Sequence, residues 1–481
     1  MRKKFLINIV FLIGLSLLIK PVWILGIDRE IQNDVGNAAY GLFFALFNFT
    51  FLFQILLDLG ITNYNNQSVA KNQSFLAENF ARLGALKLGL AMVYLAVTLL
   101  ASSFMGYSEQ AIALLYFLTI NQFLLSFVLF LRSSISGLQI FWLDSLISVL
   151  DRLILIIICS FLLWGNITDS KFQIEWLVYA QCFAYSITLL ICLLVVILKA
   201  KSFFKVPSIE FIKSTFHKSI PFAIIIFFMT MYFRLDAVMI ERLLPRGEYF
   251  SGVYAQGYRF FDLLNNFVYL FTAILFPLLS KEMSKGNKVN QLVTFTISLL
   301  SISFVTLLGI ALFLASYLIE ISYDDVQPES AKVLSILLIT FIPMVVSSIY
   351  GTVLTAGGKL KEMMVWSGVA FVSNILLNFI LIPIYGVIGA AIASLVAQSI
   401  MATSCYILAG IKFGSFIPIK VIAFMMLPII LVLAILYIYL GSMNNIQIFG
   451  VLLLTSTLLL TGFVARSYNE FKLPTINNTR N

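Results

Sequence analysis

The chain has 481 residues, of which 61% are hydrophobic and only 11% carry a charge. This composition excludes a soluble globular protein, because a soluble fold must supply a polar surface over its whole length. A spanning helix needs about 20 mainly apolar residues to cross roughly 30 Å of hydrocarbon. The sequence meets that requirement repeatedly between Phe5 and Val464, so it predicts an all-α integral membrane protein.

Hydrophobic segments taken in chain order predict fourteen membrane-spanning helices. The first follows Arg2-Lys3-Lys4 and lacks the small-residue cleavage site of a signal peptide, so we expect it to be retained. The connecting segments are short, which argues against an inserted soluble domain. The predicted spans are 6–26, 38–60, 83–104, 110–131, 143–164, 176–198, 219–240, 252–279, 290–318, 331–355, 363–384, 387–410, 416–439 and 446–465.

Positive charge is divided unequally between alternate loops. With the N-terminus inside, 21 of the 31 basic residues lie in predicted cytoplasmic segments and five in outer ones. The positive-inside rule then predicts that both termini are cytoplasmic. Acidic residues favour two predicted outer loops, one with Asp28, Glu30 and Asp34 and one from Glu320 to Glu329. The net charge of +9 is therefore a consequence of topology and does not indicate nucleic-acid binding.

Two parts of the sequence repeat. Tyr40-Gly41-Leu42-Phe43-Phe44 opens the second span, and Ser251-Gly252-Val253-Tyr254-Ala255 opens the eighth, 211 positions later. Spans one and seven each follow a basic cluster and carry one deep cation, Lys20 and Arg234. Many transporters contain such internal repeats. We therefore predict an N-terminal lobe at 1–200 (spans 1–6), a C-terminal lobe at 201–411 (spans 7–12), and two extra spans with a cytoplasmic tail at 412–481.

The run from Asn374 to Ser394 resembles a known family. With Pro383, Gly386 and Gly389 in place, it is similar to a hallmark of polysaccharide and O-antigen flippases. These proteins belong to the multidrug/oligosaccharidyl-lipid/polysaccharide exporter superfamily. The resemblance covers most of the chain, and the other segments that agree with it are Leu57-Asp58-Leu59-Gly60, the run from Arg234 to Ile240, the run from Gly252 to Arg259, and Phe276 to Ser280.

The resemblance implies two pseudo-symmetric six-helix lobes plus two C-terminal helices around a central cavity. It also implies transport without catalysis, in which polyprenyl-pyrophosphate-linked oligosaccharides move to the outer leaflet of the bacterial cytoplasmic (inner) membrane. The expected partners are that lipid-linked oligosaccharide and the membrane lipids, with polysaccharide polymerase machinery as a further candidate, and no cofactor is expected. Within the motif, Pro383 and Gly386 predict a turn, and the small residues after it predict close helix packing.

Ionisable side chains inside spans are costly and mark functional sites or ion pairs. Lys87 and Asp58 lie near cytoplasmic ends, where we expect them to reach the interface. Asp144 and Asp151, with the adjacent Arg152, are expected to form a structural network between helices. The ten such residues are Lys20, Lys87, Arg152, Arg234, Arg259, Asp58, Asp144, Asp151, Asp236 and Asp262.

Lys20, Arg234 and Arg259 are the predicted substrate-binding residues. Arginine can grip a phosphate group through two hydrogen bonds, and lysine offers a point charge. The alternative is that these cations are structural. Arg259 would then pair with Asp262 one helical turn away, and Arg234 would pair across helices.

Two other functions remain open. A multidrug or cation antiporter of the same superfamily would need a membrane acid, for which Asp58, Asp236 and Asp262 are candidates. A membrane glycosyltransferase or polysaccharide polymerase would need a larger outer loop than the sequence offers. The four cysteines lie in apolar runs without metal-ligand spacing, so no metal site is predicted.

Overall fold

The computed structural model describes residues 14–16, 18–165, 171–200, 207–284, 289–414 and 416, together with 430, 447–448, 450–452 and 454–455. This part of the chain is helical throughout and contains no strand. Two π-helical segments, Val22–Asp28 and Ile310–Leu314, precede α1 and α11 respectively. The helices are α1 (Arg29–Leu52), α2 (Ile55–Asp58), α3 (Ile61–Lys71), α4 (Ser74–Phe104), α5 (Glu109–Gly137), α6 (Phe141–Trp164), α7 (Ile174–Ala200), α8 (Ile209–Leu243), α9 (Gly247–Ser284), α10 (Asn290–Gly309), α11 (Ala315–Glu320), α12 (Pro328–Ala356), α13 (Leu360–Tyr385) and α14 (Val387–Phe413).

Eight helices among the described residues are long and apolar enough to cross a membrane. The 35-residue α8 and the 38-residue α9 are also long enough, although each carries charged residues along its length. The predicted all-α membrane fold is therefore confirmed, and the number of helices agrees roughly with fourteen spans. The predicted spans 416–439 and 446–465, and the beginning of the span at 6–26, lie mostly outside the described residues.

The predicted outer loop before the second span is helical instead. The π-helical segment Val22–Asp28 runs directly into α1, which is broken only at Gly36. Gly36 has φ 80° and ψ 165°, a conformation that is open essentially to glycine alone. Asp28 is only 2% exposed, so its assignment to an exposed acidic loop is wrong. Asp34 is tied down as well, because its Oδ2 accepts a hydrogen bond from the main-chain nitrogen of Phe172 at 2.9 Å.

The end of the second predicted span is a sharp left-handed turn. Leu59 has φ 42° and Gly60 has φ 78°, so the chain leaves α2 and immediately begins α3. A side chain at Gly60 would overlap the main-chain carbonyl of Ser219, which shows how closely this turn approaches α8. Helix α3 is absent from the sequence prediction, because its polar residues resemble a loop.

The turn predicted from Pro383 and Gly386 is confirmed. Helix α13 ends at Tyr385, Gly386 has φ 58°, and α14 begins at Val387. A side chain at Gly389 would overlap the carbonyl oxygen of Leu381, so the small residue is needed for this tight reversal. The alanines that follow at 390, 391 and 393 are fully buried, as expected for a small-residue packing face.

The chain divides into two compact units. The first holds the residues up to Arg259 with Asn374–Ala390, and the second holds Phe260–Ser373 with the residues from Ala391. The first unit has a core in which side chains of α3 to α7 interlock, among them Leu83, Phe130, Ile147 and Val196. In the second unit α12 packs on α10 and α11. The division into lobes at 1–200 and 201–411 stays a prediction.

Candidate functional site

Arg259 on α9 forms a buried ion pair with Asp28. Its Nε lies 2.7 Å from Oδ2 of Asp28 and also donates to the hydroxyl of Tyr40 at 2.8 Å, and Nη2 donates to the same hydroxyl. The Tyr40 hydroxyl donates in turn to Asp28 Oδ2 at 2.8 Å. The ring of Phe44 lies 5.2 Å from the guanidinium carbon. The expected alternative partner, Asp262, is therefore wrong, because the acid that neutralises Arg259 is Asp28.

Arg234 on α8 has a different environment. Its Nη1 donates to Oδ1 of Asn48 at 3.3 Å, and its guanidinium carbon lies 4.7 Å from the centroid of the Phe51 ring. Both partners are neutral and belong to α1. The side chain is half-buried, and no acid among the described residues lies within ion-pair distance of it. The positive charge of Arg234 is therefore oriented by its neighbours but not cancelled by them.

Asp236 lies two residues further along α8 and is 1% exposed. Its carboxylate accepts hydrogen bonds from the Tyr254 hydroxyl at 3.0 Å, from Asn374 Nδ2 at 3.2 Å and from Asn378 Nδ2 at 2.7 Å. These three neutral donors connect α8 with α9 and α13. Asn374 and Asn378 were predicted only as part of the run that resembles the flippase family, and this role was not predicted. Two amides four positions apart in an apolar span were the signal that they share a helix face.

Lys20, the third predicted site residue, lies half-buried on the helical residues that precede Val22. Lys20, Arg234 and Arg259 all belong to the first compact unit, on three different segments of it. Arg234 and Arg259 both contact α1, since this helix holds Asn48 and Phe51 as well as Tyr40 and Phe44.

Lys87 is fully buried, so the expectation that it reaches the membrane interface is wrong. Its Nζ lies 2.7 Å from Oδ1 of Asp58 and 3.0 Å from the hydroxyl of Ser126. The rings of Phe127 and Phe130 flank the ammonium at 5.9 and 5.4 Å. The pair is an interior ion pair between α2 and α4 rather than a snorkelling side chain.

The predicted structural network on α6 is present in part. Asp144 accepts from Nε of Arg132 on α5 at 2.8 Å, which is an ion pair between helices as expected. Asp151 lies 3.8 Å from its neighbour Arg152, whose guanidinium is 5.6 Å from the ring centroid of Trp23. Asp144 and Asp151 therefore have structural partners, as the sequence predicted.

A second set of polar contacts joins α1 to α9. Gln32 Nε2 donates to Asn37 Oδ1 at 2.8 Å and to the carbonyl of Gly252 at 2.9 Å, and Gln256 Nε2 donates to Asn37 Oδ1 at 3.1 Å. All of these side chains are at most 3% exposed. No sequence signal identified the contacts between the two helices, because Gln32 and Gly252 are 220 positions apart and Asn37 and Gln256 are 219 apart.

Arg242 closes a contact at the end of α8. Its guanidinium carbon lies 3.7 Å from the ring centroid of Tyr107, and Nη1 donates to the carbonyl of Met105 at 2.7 Å. Oε2 of Glu241 lies 2.6 Å from Nε of Arg242 and balances the charge of the arginine. Burial raises the pKa of the Tyr107 hydroxyl to about 12, so this residue stays neutral beneath the arginine.

The model of a family described as "Polysaccharide biosynthesis protein" matches residues 31–283, which is more than half of the chain. The chain belongs to this family. No curated protein matches it. The resemblance to polysaccharide flippases of the exporter superfamily is thus supported by the family model as well as by the individual motifs.

Solved structures share the fold of this family member. The lipid II flippase MurJ in an inward closed conformation matches with a TM-score of 0.68 and 16% identity, over 96% of this chain and 99% of that one. An inward-facing multidrug resistance MATE transporter of the MOP superfamily matches with a TM-score of 0.62 and 16% identity, over 85% of this chain and 98% of that one. A MOP superfamily transporter from Pyrococcus furiosus matches with a TM-score of 0.56 and 17% identity, over 85% of this chain and 94% of that one. These likenesses confirm the predicted fold class and place the chain among membrane transporter folds.

Proposed function

We propose that this chain flips polyprenyl-pyrophosphate-linked oligosaccharides from the inner to the outer leaflet of the cytoplasmic membrane. The product would supply the synthesis of a surface polysaccharide such as O-antigen, capsule or exopolysaccharide, with polysaccharide polymerase machinery as the partner that consumes it. Membership of a polysaccharide biosynthesis family supports a cargo that contains an oligosaccharide. A fold shared with a protein described as a lipid II flippase supports a lipid-linked substrate. The charge split supports cytoplasmic termini.

The observation that carries the proposal is the uncancelled charge of Arg234. A cation within a membrane span is costly unless it has a partner or lines a polar path. The partners of Arg234 are a neutral amide and an aromatic ring, so its guanidinium keeps the capacity to bind an anionic headgroup. Lys20 and Arg259 are the other proposed contacts for the headgroup, although Asp28 neutralises the charge of Arg259 in this structure.

A cation antiporter is the second candidate, and Asp236 is the observation that favours it. This carboxylate is held in the interior by neutral donors, as an acid that exchanges its bound cation would be. The two candidates differ in cargo, because an antiporter moves a small cationic compound and a flippase moves an anionic lipid.

Reconstituted transport tests the proposal. Purified protein in liposomes would be given a fluorescent polyprenyl-pyrophosphate disaccharide, and its appearance in the opposite leaflet followed with and without sodium and proton gradients. We expect flipping by the natural chain and a loss of about tenfold or more in Arg234→Gln, because a charge-assisted hydrogen bond contributes roughly 1.5–3 kcal/mol. Arg234→Lys should retain part of the rate. Efflux of cationic dyes without lipid flipping would contradict the proposal and support the antiporter.

A second arm neutralises Arg234 without removing it. Asn48→Asp places a carboxylate 3.3 Å from the guanidinium, so the chain should fold while flipping falls as it does in Arg234→Gln. Asn79→Asp is the matched control, since Asn79 donates to the carbonyl of Phe75 four residues earlier, as Asn48 does to Phe44. Equal rates for the two aspartate variants would show that the charge of Arg234 plays no part in transport.

A further inference from the structure

Arg82, near the start of α4, is a half-buried cation that has no acid beside it. Its guanidinium carbon lies 5.5 Å from the centroid of the Phe211 ring on α8. In the part of the chain that the structure describes, no acid and no hydrogen-bond acceptor lies within bonding distance of this guanidinium. Glu78 precedes Arg82 by one helical turn, but its Oε1 accepts a hydrogen bond from Ser74 at 3.1 Å instead. The N–H groups of Arg82 are therefore available to an anion from outside the chain.

The ring beside Arg82 is held in place by the first turns of α8. This helix begins at Ile209, before the predicted span at 219–240. Phe211, Ile212 and Phe216 of this extension pack against the buried core that α3 to α7 share. An aromatic face attracts a cation, so a ring fixed by the core keeps the guanidinium beside it. The contact lies wholly within the first compact unit.

The face of α4 that carries Arg82 is apolar and exposed further along the helix. Gly89, Val93 and Leu100 follow Arg82 at intervals close to whole helical turns, so they share its face, and all three are exposed. Exposed apolar residues within a predicted span contact acyl chains. Arg82 directly precedes the span predicted at 83–104, and helical side chains lean toward the N-terminus, so its guanidinium lies at the level of the headgroups.

Further positive charge lies on the segments next to this contact. Lys71 ends α3, which packs on both α4 and α8, and Lys213 is exposed on the extension of α8. The exposed acids Glu78 and Glu210 offset part of this charge. The charge split predicts that the whole region is cytoplasmic, and the cytoplasmic leaflet is the one whose anionic lipids attract basic residues near the membrane.

We propose that Arg82, held by the Phe211 ring, binds the phosphate group of an anionic phospholipid in the cytoplasmic leaflet. The guanidinium offers paired N–H donors to the phosphate, and the exposed face of α4 lies along the acyl chains. A polyprenyl-pyrophosphate cargo would present the same chemistry from the same leaflet. A single cation beside a ring is a weak site, however, and a weak site is filled by the abundant lipid. The site needs neither cargo nor flipping, so it stands independently of the proposed function.

Native mass spectrometry of the purified chain in a neutral detergent tests the site. The Kd of the first bound molecule would be measured for phosphatidylglycerol, phosphatidylcholine and undecaprenyl pyrophosphate. We expect the natural chain to bind phosphatidylglycerol about fivefold more tightly than phosphatidylcholine, which is what one cation near an anionic lipid contributes. Arg82→Gln should lose this preference. Glu78→Gln should increase it, because it removes the acid one turn from the guanidinium.

Arg29→Gln is the matched control. Arg29 is also half-buried, but its Nη2 lies 2.8 Å from Oε2 of Glu30, so its charge is already paired and the preference should not change. Equal preferences in Arg82→Gln and Arg29→Gln would overturn the site. Loss of undecaprenyl pyrophosphate binding alone in Arg82→Gln would also overturn it, because Arg82 would then contact cargo. If Arg82→Gln does not fold, Glu78→Gln decides, since an unchanged preference in that exposed variant would contradict the site.

Discussion

The arginines of the first compact unit differ in the residues that surround their guanidinium groups. Arg259 and Arg132 each lie within 2.8 Å of an acid. Arg234 donates to Asn48 and lies over the Phe51 ring, and no acid among the described residues is within ion-pair distance of it. Sequence reasoning can count the charges in a span, because apolar runs make them conspicuous. It cannot assign partners across the fold, since Tyr40, which contacts Arg259, is 219 positions away.

A double substitution decides whether Arg259 does more than neutralise Asp28. Arg259→Gln leaves a buried carboxylate without its cation, which should destabilise the protein by about 3–5 kcal/mol. Adding Asp28→Asn should restore thermal stability in detergent, because no buried charge remains unpaired. We expect lipid flipping to stay low in this double variant, since the guanidinium itself is missing.

The control pairs Arg259→Gln with Asp262→Asn, which removes the acid that local spacing favoured. It should restore neither stability nor transport, because Asp262 is not the partner. Full recovery of flipping in Arg259→Gln/Asp28→Asn would show that Arg259 is a structural residue and not a contact for the headgroup.

At the scale of elements, the sequence predicted turns better than helix ends. Pro383 and Gly386 fix a reversal by local backbone chemistry, and the structure has it where expected. The segment around Asp28 was misjudged for the opposite reason. Acidic residues suggested an exposed loop, but the tertiary partner Arg259 allows Asp28 to be buried in a helix. Helix α3 was not predicted for the same reason, because tertiary contacts with α5 and α8 stabilise a helix in a polar segment.

The turn between α2 and α3 should depend on Lys87. Asp58 accepts hydrogen bonds from the nitrogen and hydroxyl of Thr62, so it caps the start of α3 while its other contact is the buried ammonium. Lys87→Met should lower the free energy of unfolding by about 3 kcal/mol, since the acid loses its cation inside the protein. Asp58→Asn in the same chain should recover most of it. Thermal melting in detergent measures both.

Arg132→Met is the matched control for Lys87. It breaks an ion pair of nearly the same length, but the two side chains are 22% and 20% exposed. We expect a loss of about 1 kcal/mol or less, because water screens a partly exposed pair. Equal destabilisation by the two methionine variants would mean that burial of Lys87 contributes nothing beyond the contact itself.

At the scale of the whole molecule, composition alone was enough for the fold class. The family match and the shared transporter fold agree with what the apolar spans and the Asn374–Ser394 motif predicted. Hydropathy could not supply the helical turns before Gly36, because the segment from Arg29 to Asp34 is polar and predicts a loop. The six-plus-six division and the central cavity stay predictions, since they concern the arrangement of helices that no local pattern encodes.

Orientation is the last global prediction, and α12 offers a matched pair of positions to test it. This 29-residue helix spans about 43 Å, more than the roughly 30 Å of hydrocarbon. Asp324 precedes it in the acidic loop, Lys361 follows it in a predicted cytoplasmic segment, and both are exposed. Of the other predicted cytoplasmic loops, residues 201–206 and 285–288 lie outside the described residues, which makes α12 the better reporter.

Asp324→Cys and Lys361→Cys would each be treated with a membrane-impermeant maleimide in intact cells. The positive-inside rule places the loop before α12 outside, so position 324 should be labelled and position 361 should react only after the membrane is opened. Each chain provides the control for the other, because the two positions flank one helix and share its insertion. Labelling of position 361 but not 324 in intact cells would invert the topology and place both termini outside. The proposed direction of flipping would then have to be abandoned, since the outer half of α8, which carries Arg234, would face the cytoplasm.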